Sequence, residues 1–219
     1  MHVSAVKVAP ASTRKISSLA LWGLMALLAT WIALMASRYF FATPAKLAPR
    51  GAFGAHFARY FPLLLPHAFG GVIALVLGPW QFSERVRQHN LPLHRWMGRT
   101  YLIAVLVGSI AGLGMATVSL GGVVTHIGFG LLAGLWLLSA LFAYSHIRRG
   151  EIDSHREWMT RNYALTFAAV TLRLWLPFFM RAFHIEIMQA YMTVSWLAWV
   201  PNLLVAEVLI NRRRSLLHA

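Results

Sequence analysis

The chain contains no cysteine. This excludes disulfides, thiol nucleophiles, cysteine-ligated iron–sulfur clusters and covalently attached c-type haem, and it leaves the redox state of the compartment unreadable. Acidic residues are nearly as scarce, 6 Asp plus Glu against 20 Lys plus Arg. A non-haem metal site usually recruits carboxylates beside histidine, and only Glu151, Asp153 and Glu157 stand near candidate histidines. No nucleophile-plus-base set, P-loop or dinucleotide glycine fingerprint is present, so no catalytic residue is assigned. Charge of either sign is low at 12%, about half of what a soluble domain carries.

Apolar sequence fills the space. The chain is 58% hydrophobic with a mean hydropathy of +0.61. About twenty apolar residues cross a bilayer as a helix. Six runs qualify, roughly 18–40, 63–82, 96–118, 122–144, 158–180 and 187–210. The expected fold is therefore all-α, an integral membrane bundle of six transmembrane helices. Residues 1–17 form a cytoplasmic tail, 18–210 the membrane domain with its core over 63–180, and 211–219 a basic cytoplasmic tail. Turn residues punctuate the runs: Pro44 and Pro49 in the first loop, Pro79 near the end of the second helix, Pro92 before the third. Gly121-Gly122 joins the third helix to the fourth so tightly that they form a hairpin. We read Leu19 to Met35 as an uncleaved first helix, although Ala36-Ser37 offers the small residues a signal cleavage site uses.

The net charge of +14 does not point to nucleic acid, because the basic residues fall in short segments between apolar runs. Lys7, Arg14, Lys15, Arg85, Arg87, Arg95, Arg148, Arg149, Arg156 and Arg212 to Arg214 collect on one side, and Arg38, Lys46, Arg50, Arg59 and Arg181 on the other. The positive-inside rule puts both termini in the cytoplasm of a bacterial inner membrane, with the lipid bilayer as the first partner.

Four histidines stand at matching places. His67 and His126 lie early in the second and fourth runs, and His94 and His155 at the starts of the third and fifth. The string from His94 to Tyr101 parallels the string from His155 to Tyr163 with one inserted residue. His67-Ala68-Phe69-Gly70-Gly71 parallels His126-Ile127-Gly128-Phe129-Gly130. Helices two and three thus form an internal repeat with helices four and five. A parallel repeat is related by an axis along the membrane normal, which sets His67 against His126 near the outer surface and His94 against His155 near the cytoplasmic one.

Ionisable or ligating side chains inside apolar spans are costly and ask for a function. Paired imidazoles across a helix bundle suit the two axial positions of haem iron. One or two haem b groups are expected, with His67, His126, His94 and His155 as metal ligands. His67 lies about fifteen residues from the inner end of its helix, roughly 22 Å at 1.5 Å per residue, so two sites would stand near the limit for direct tunnelling. Arg95, Arg99, Arg156 and Arg161 surround the inner site and suit haem propionates. Arg173, in the outer half of helix five, suits an outer propionate or an anionic substrate. Glycines such as Gly70, Gly71, Gly98, Gly108 and Gly112 leave room for a macrocycle, though glycine is common in membrane helices anyway. Phe69, Trp80, Trp96, Phe129, Trp136 and Trp158 are candidate ring-edge contacts or interfacial anchors. Glu157 is placed to pair with Arg161 at i,i+4, and Glu207 to snorkel or to pair with Arg212. The competing reading gives His94 and His155 to phospholipid headgroups, and His67 and His126 to hydrogen bonds with backbone carbonyls. His2, His56, His89, His146, His184 and His218 are assigned no role.

The motif series His67-x-x-Gly70-Gly71, Gly78-Pro79-x-Gln81-Phe82, His94-Arg95-x-x-Gly98-Arg99-x-Tyr101 and His155-Arg156-x-Trp158-Met159-x-Arg161 resembles a bacterial family of multi-pass membrane proteins, a domain of unknown function. The resemblance covers roughly residues 60–180 and implies no established activity. More distantly, the pairing of helix two with four and three with five is similar to the di-haem transmembrane cytochromes b of the ascorbate-reductase type. That resemblance implies His67 with His126 and His94 with His155 as axial pairs. The sequence departs from it where the inner histidines stand at the extreme helix starts, each followed by Arg. The expected function is electron transfer from a quinol or small reductant by a histidine-ligated, b-type cytochrome-like protein. Two other classes fit less well: a non-redox transporter or assembly factor whose histidines titrate or bind headgroups, and an enzyme with a histidine-bound non-haem metal.

Overall fold

The computed structural model describes residues 11–217, with side chains over 19–216. Residues 1–10, and with them Lys7 of the expected tail, lie outside the described residues, as do the side chains of Arg14 and Lys15 and all of His2 and His218. Helix α1 (Ala11–Ser37) runs into a 3-10 turn at Arg38–Phe41. Two short helices follow, α2 (Pro44–Leu47) and α3 (Gly51–Arg59). Helix α4 (Phe61–Gln81) leads through α5 (Glu84–His89) into α6 (Leu91–Thr117) and α7 (Val123–Arg148). The fifth span is broken into α8 (Ile152–Thr166) and α9 (Ala168–Ala182), and the last into α10 (Ile187–Leu197) and α11 (Val200–Leu217). Among the described residues there is no strand, and six spans are long and apolar enough to cross a membrane: Leu19–Phe41, Phe61–Gln81, Leu91–Thr117, Val123–Arg148, Ile152–Ala182 and Ile187–Leu216.

Local chemistry sets the boundaries. Asn90 caps α6, its side chain accepting from the Leu93 N–H at 3.0 Å, with proline in the first turn. Proline fixes the φ that a helix start needs and has no N–H to leave unsatisfied. The third helix therefore begins at Leu91, one turn before the apolar run at 96. Gly150, at φ +79°, ends α7 and lets α8 start at Ile152 instead of 158. His94 and His155 consequently stand inside the first turns, not at the extreme starts. Gly121 and Gly122 (φ +95° and +69°) make the expected hairpin, a conformation that side-chain-bearing residues rarely adopt. The last helix runs to Leu217, past 210 where a separate tail was expected. Arg213 bonds Asp153 at 3.0 Å and Arg214 bonds Glu157 at 2.6 Å, which ties that basic end to α8.

The bundle is apolar outside as well as within. Leu21, Leu27, Ile103, Ile110 and Leu138 point outward, as surfaces solvated by lipid do. Helix α4 packs on α6, α6 on α7, and α7 on α8. Tyr101, Val105, Trp136, Met159 and Tyr163 form the central core. Ala29, Ile32 and Ala33 of α1 close over Leu75 and Val170, and the Trp22 indole donates to the Pro79 carbonyl at 2.9 Å. Close packing of α4 on α6 rests on glycine. A Cβ on Gly70 would run into the Ala104 carbonyl and lie 2.7 Å from the Gly108 backbone.

At the breaks in the last two spans, one side chain reconnects the backbone. Asn202 Nδ2 shares its two protons among Ala164 O (3.1 Å), Ala198 O (2.9 Å) and Thr171 Oγ1 (3.2 Å), and the Thr171 hydroxyl donates to Ala198 O at 2.5 Å. Interrupted helices survive at membrane depth only where such partners meet the freed carbonyls.

Candidate functional site

A cavity of about 250 Å³ opens between α1, α3, α4, α6, α7, α9 and α10. Its walls are mostly apolar, with Leu64, Val72, Leu75, Phe129 and Leu132 among them. The polar exceptions are His67, His56, Arg173, Tyr39, Tyr191, Ser119 and Thr166. This mixture, an apolar pocket with a few convergent polar groups, is the usual form of a small-molecule site.

His67 is fixed within it. Its Nδ1 lies 2.9 Å from the Gly108 carbonyl. A carbonyl only accepts, so Nδ1 carries the proton and a neutral ring keeps its Nε2 lone pair open. Gly112 makes the room, since a Cβ there would stand 3.0 Å from His67 Nδ1. The Trp136 ring meets the imidazole edge-on at 6.5 Å between centroids. This is how ligating imidazoles are commonly held, with the second nitrogen bonded to a carbonyl that sets tautomer and orientation.

His126 does not line this cavity. It shares a helical face with Phe129, Ala133 and Trp136, which line the wall. Its Nε2 donates to the carbonyl of Ser119, another wall residue, at 3.0 Å. The structure thus sets His67 in the cavity and His126 one step outside it, facing Ser119.

His94 and His155 come within electrostatic reach of one another. His155 Nδ1 donates to the Ala143 carbonyl at 2.8 Å, again leaving Nε2 open, while His94 Nδ1 is buried with no partner. Of the arginines expected around this pair, Arg161 is engaged elsewhere. It makes a two-pronged pair with Glu207 (2.6 and 2.9 Å), lies 3.9 Å from Glu157 as the i,i+4 spacing predicts, and sits over the Trp158 ring. Glu207 thus takes Arg161 and not Arg212. Arg156 reaches Asp153 at 3.5 Å. Arg95 and Arg99 make no ion pair among the described residues. No group of three or more His, Asp or Glu side chains converges as a metal site among them either.

A buried polar chain lies between the cavity and the second histidine pair. Trp136 Nε1 donates to Thr166 Oγ1 at 2.9 Å, and Tyr101 OH lies 2.9 Å from the same oxygen and donates to Asn162 Oδ1 at 2.6 Å. Asn162 Nδ2 donates to Ser139 Oγ and to Trp136 O, each at 2.8 Å. Tyr101 follows His94 by seven residues and Asn162 follows His155 by seven, two turns along the same helix faces.

Of the polar cavity residues, the sequence reading singled out Arg173 and missed His56. Arg173 was expected to serve an anion, but its company was not foreseen. His56 was set aside as a loop residue, yet it sits on α3 and lines the cavity with its Nε2 buried and unpartnered. Burial and the neighbouring Arg59 hold its imidazole below the ordinary histidine value. No periodic signal marked α3, a nine-residue helix outside every apolar run. Of the aromatic candidates, Phe129 and Trp136 line the cavity, whereas Phe69, Trp80 and Trp96 are exposed on the lipid-facing surface. Trp158 packs on Phe142.

These features define a polytopic helical membrane protein with a histidine- and arginine-bearing cavity at one end of its bundle. Residues 64–210 match the family described as "Predicted membrane protein (DUF2306)", and the chain belongs to that family. No curated protein and no solved structure matches it.

Proposed function

We propose that this chain is a b-type cytochrome-like electron-transfer protein of the bacterial inner membrane, both termini cytoplasmic, with histidine-ligated haem and a quinol or small reductant as electron donor. The observation that carries the reading is His67, whose Nδ1 is committed to Gly108 and whose Nε2 is free in an apolar cavity. The donor set fits haem: an open imidazole, a guanidinium for an acidic rim, small residues along the walls, and Phe129 and Trp136 as flat neighbours. When bound, haem supplies a reversible one-electron couple. The protein's own part is to fix the His67 ring through Gly108 and to keep water from the cavity with Leu64, Leu75 and Leu132. On this reading His126 would be the second residue to hold the haem, in place of its bond to the Ser119 carbonyl.

His94 and His155 form the inner pair. The sequence repeat relates His94 to His155 as it relates His67 to His126, and His155 is held by a carbonyl (Ala143) as His67 is by Gly108. Trp136 and Tyr101 stand between the pairs and shorten the gap an electron must cross.

The test is a reduced-minus-oxidised visible spectrum of the detergent-purified protein, with a pyridine haemochrome assay for stoichiometry. Sharp α-bands are expected at one or two haems per chain. His67→Ala and His126→Ala should each remove the outer haem and leave the inner one. A colourless protein from haem-supplemented cells overturns the reading and leaves a non-redox transporter or assembly factor, with carbonyl-bonded histidines as structural groups.

A further inference from the structure

The end of the cavity away from α5 carries an excess of cations and no carboxylate. Arg173 lines it, and among the described residues the only hydrogen bond of its guanidinium is to its own helix, Nη1 to Ala169 O at 2.8 Å. None of the ion pairs among the described residues includes it. Arg38 and Tyr39 are its electrostatic neighbours, and His67 feels its charge. Arg59 stands beside His56. Of the six acids, Glu84, Glu151, Asp153, Glu157 and Glu207 lie toward the opposite end of the bundle, with the α5 and α7–α8 connections and the foot of α11. Only Glu186 belongs to this end, in the α9–α10 connection, and it does not line the cavity.

A guanidinium drawn into a low-dielectric cavity without a counter-ion is costly, and such side chains in membrane spans mark ligand or ion positions. A second group waits in the same cavity, the buried His56 Nε2 with no partner. Polar atoms buried without partners are rare in native folds, and this one shares its cavity with Arg173, the only arginine among the described wall residues. The remaining wall is apolar. We propose that the cavity binds an amphiphilic carboxylate, its head on Arg173 with His56 as second contact, and its apolar body along Leu64, Val72 and Leu132. The same chemistry comes from two sources, a propionate of a haem held by His67 or the head of a fatty acid. The inference shares the cavity with the haem reading and does not depend on it.

The experiment uses the full chain in detergent, as wild type, Arg173→Gln, Arg173→Lys and His56→Ala. On protein free of haem, the probe is a fluorescent polyene fatty acid beside its methyl ester. Wild type should bind the acid at least tenfold more tightly than the ester. Arg173→Gln should lose that preference while still binding the ester, which shows that the cavity is intact. Arg173→Lys should keep part of it, and His56→Ala should weaken it. On protein carrying haem, the readout is the midpoint potential and haem retention, both of which should change in Arg173→Gln. Acid preference without any haem sustains the carboxylate site and sinks the cytochrome reading. Haem whose potential and retention ignore Arg173→Gln, together with equal binding of acid and ester, overturns the carboxylate site and leaves the cytochrome reading standing.

Discussion

At the scale of single residues, the site depends on what glycine omits. His67 reaches Gly108 O beside Gly112, where a Cβ would crowd Nδ1 at 3.0 Å, and α4 lies close to α6 only because Gly70 faces Ala104 and Gly108 without a Cβ. The atoms a Cβ on Gly70 would meet are backbone, which cannot turn aside as the tip of a side chain can. Gly70→Ala should therefore push the two helices apart, cost about 1–3 kcal/mol by overpacking, and break the His67 bond along with it. Thermal unfolding in detergent reads the first effect. If haem binds, loss of the outer component of the spectrum reads the second. An unchanged melting temperature would show that the helices separate without cost. Much of this residue-level chemistry was legible beforehand. The four histidines and Arg173 stood out because polar groups are conspicuous in apolar runs. His56 did not, because nothing in its local sequence announces that α3 folds back over a cavity made by helices distant in the chain.

At the scale of elements, the six spans follow from hydropathy, and their inner ends from caps that hydropathy does not weigh. Asn90 and the proline after it start α6 one turn earlier than the apolar run does. The break at Phe167 had no such signal, since no proline or glycine marks it, whereas Pro201, with no N–H to bond Leu197 O, marks the break at Ala198. Both breaks are held by Asn202, whose amide spans three acceptors on both broken spans. Asn202→Ala should expose the Ala164 carbonyl and loosen α9 against α10. Hydrogen bonds between membrane helices average about 0.6 kcal/mol and reach about 1.7. The two N–H groups of Asn202, shared among three acceptors, place the expected loss at the upper end of that range, measurable by denaturant titration in mixed micelles. Loss of nothing would mean that the breaks are held by packing alone.

At the scale of the whole molecule, charge is divided between the two ends. The end with α5 and the foot of α11 carries the ion pairs, Arg161 with Glu207 and Arg213 and Arg214 with Asp153 and Glu157. The other end is basic and almost without acids, and it holds the cavity. If both termini face the cytoplasm, the cavity opens outward, where a reductant or an amphiphile from the outer leaflet reaches it. The absence of cysteine makes this simple to test. Single cysteines at Ala55 on α3 and at Ser215 on α11, both exposed, give a clean labelling experiment in spheroplasts. An impermeant maleimide should label Ala55→Cys from outside and spare Ser215→Cys until the membrane is opened. The reverse pattern would invert the topology and put the cavity on the cytoplasmic side.

The sequence by itself determined the class of the protein, the number of its spans, the tight Gly121-Gly122 hairpin and the four histidines, because each depends on local composition or on neighbours within a turn. Only the tertiary structure decided which of those histidines shares a cavity with Arg173, which arginines are already spent on carboxylates, and that His56 belongs to the site. Those are contacts between residues tens to more than a hundred positions apart, and they exist because helix packing, governed by small side chains and by polar atoms that lipid cannot satisfy, brings distant segments to one place.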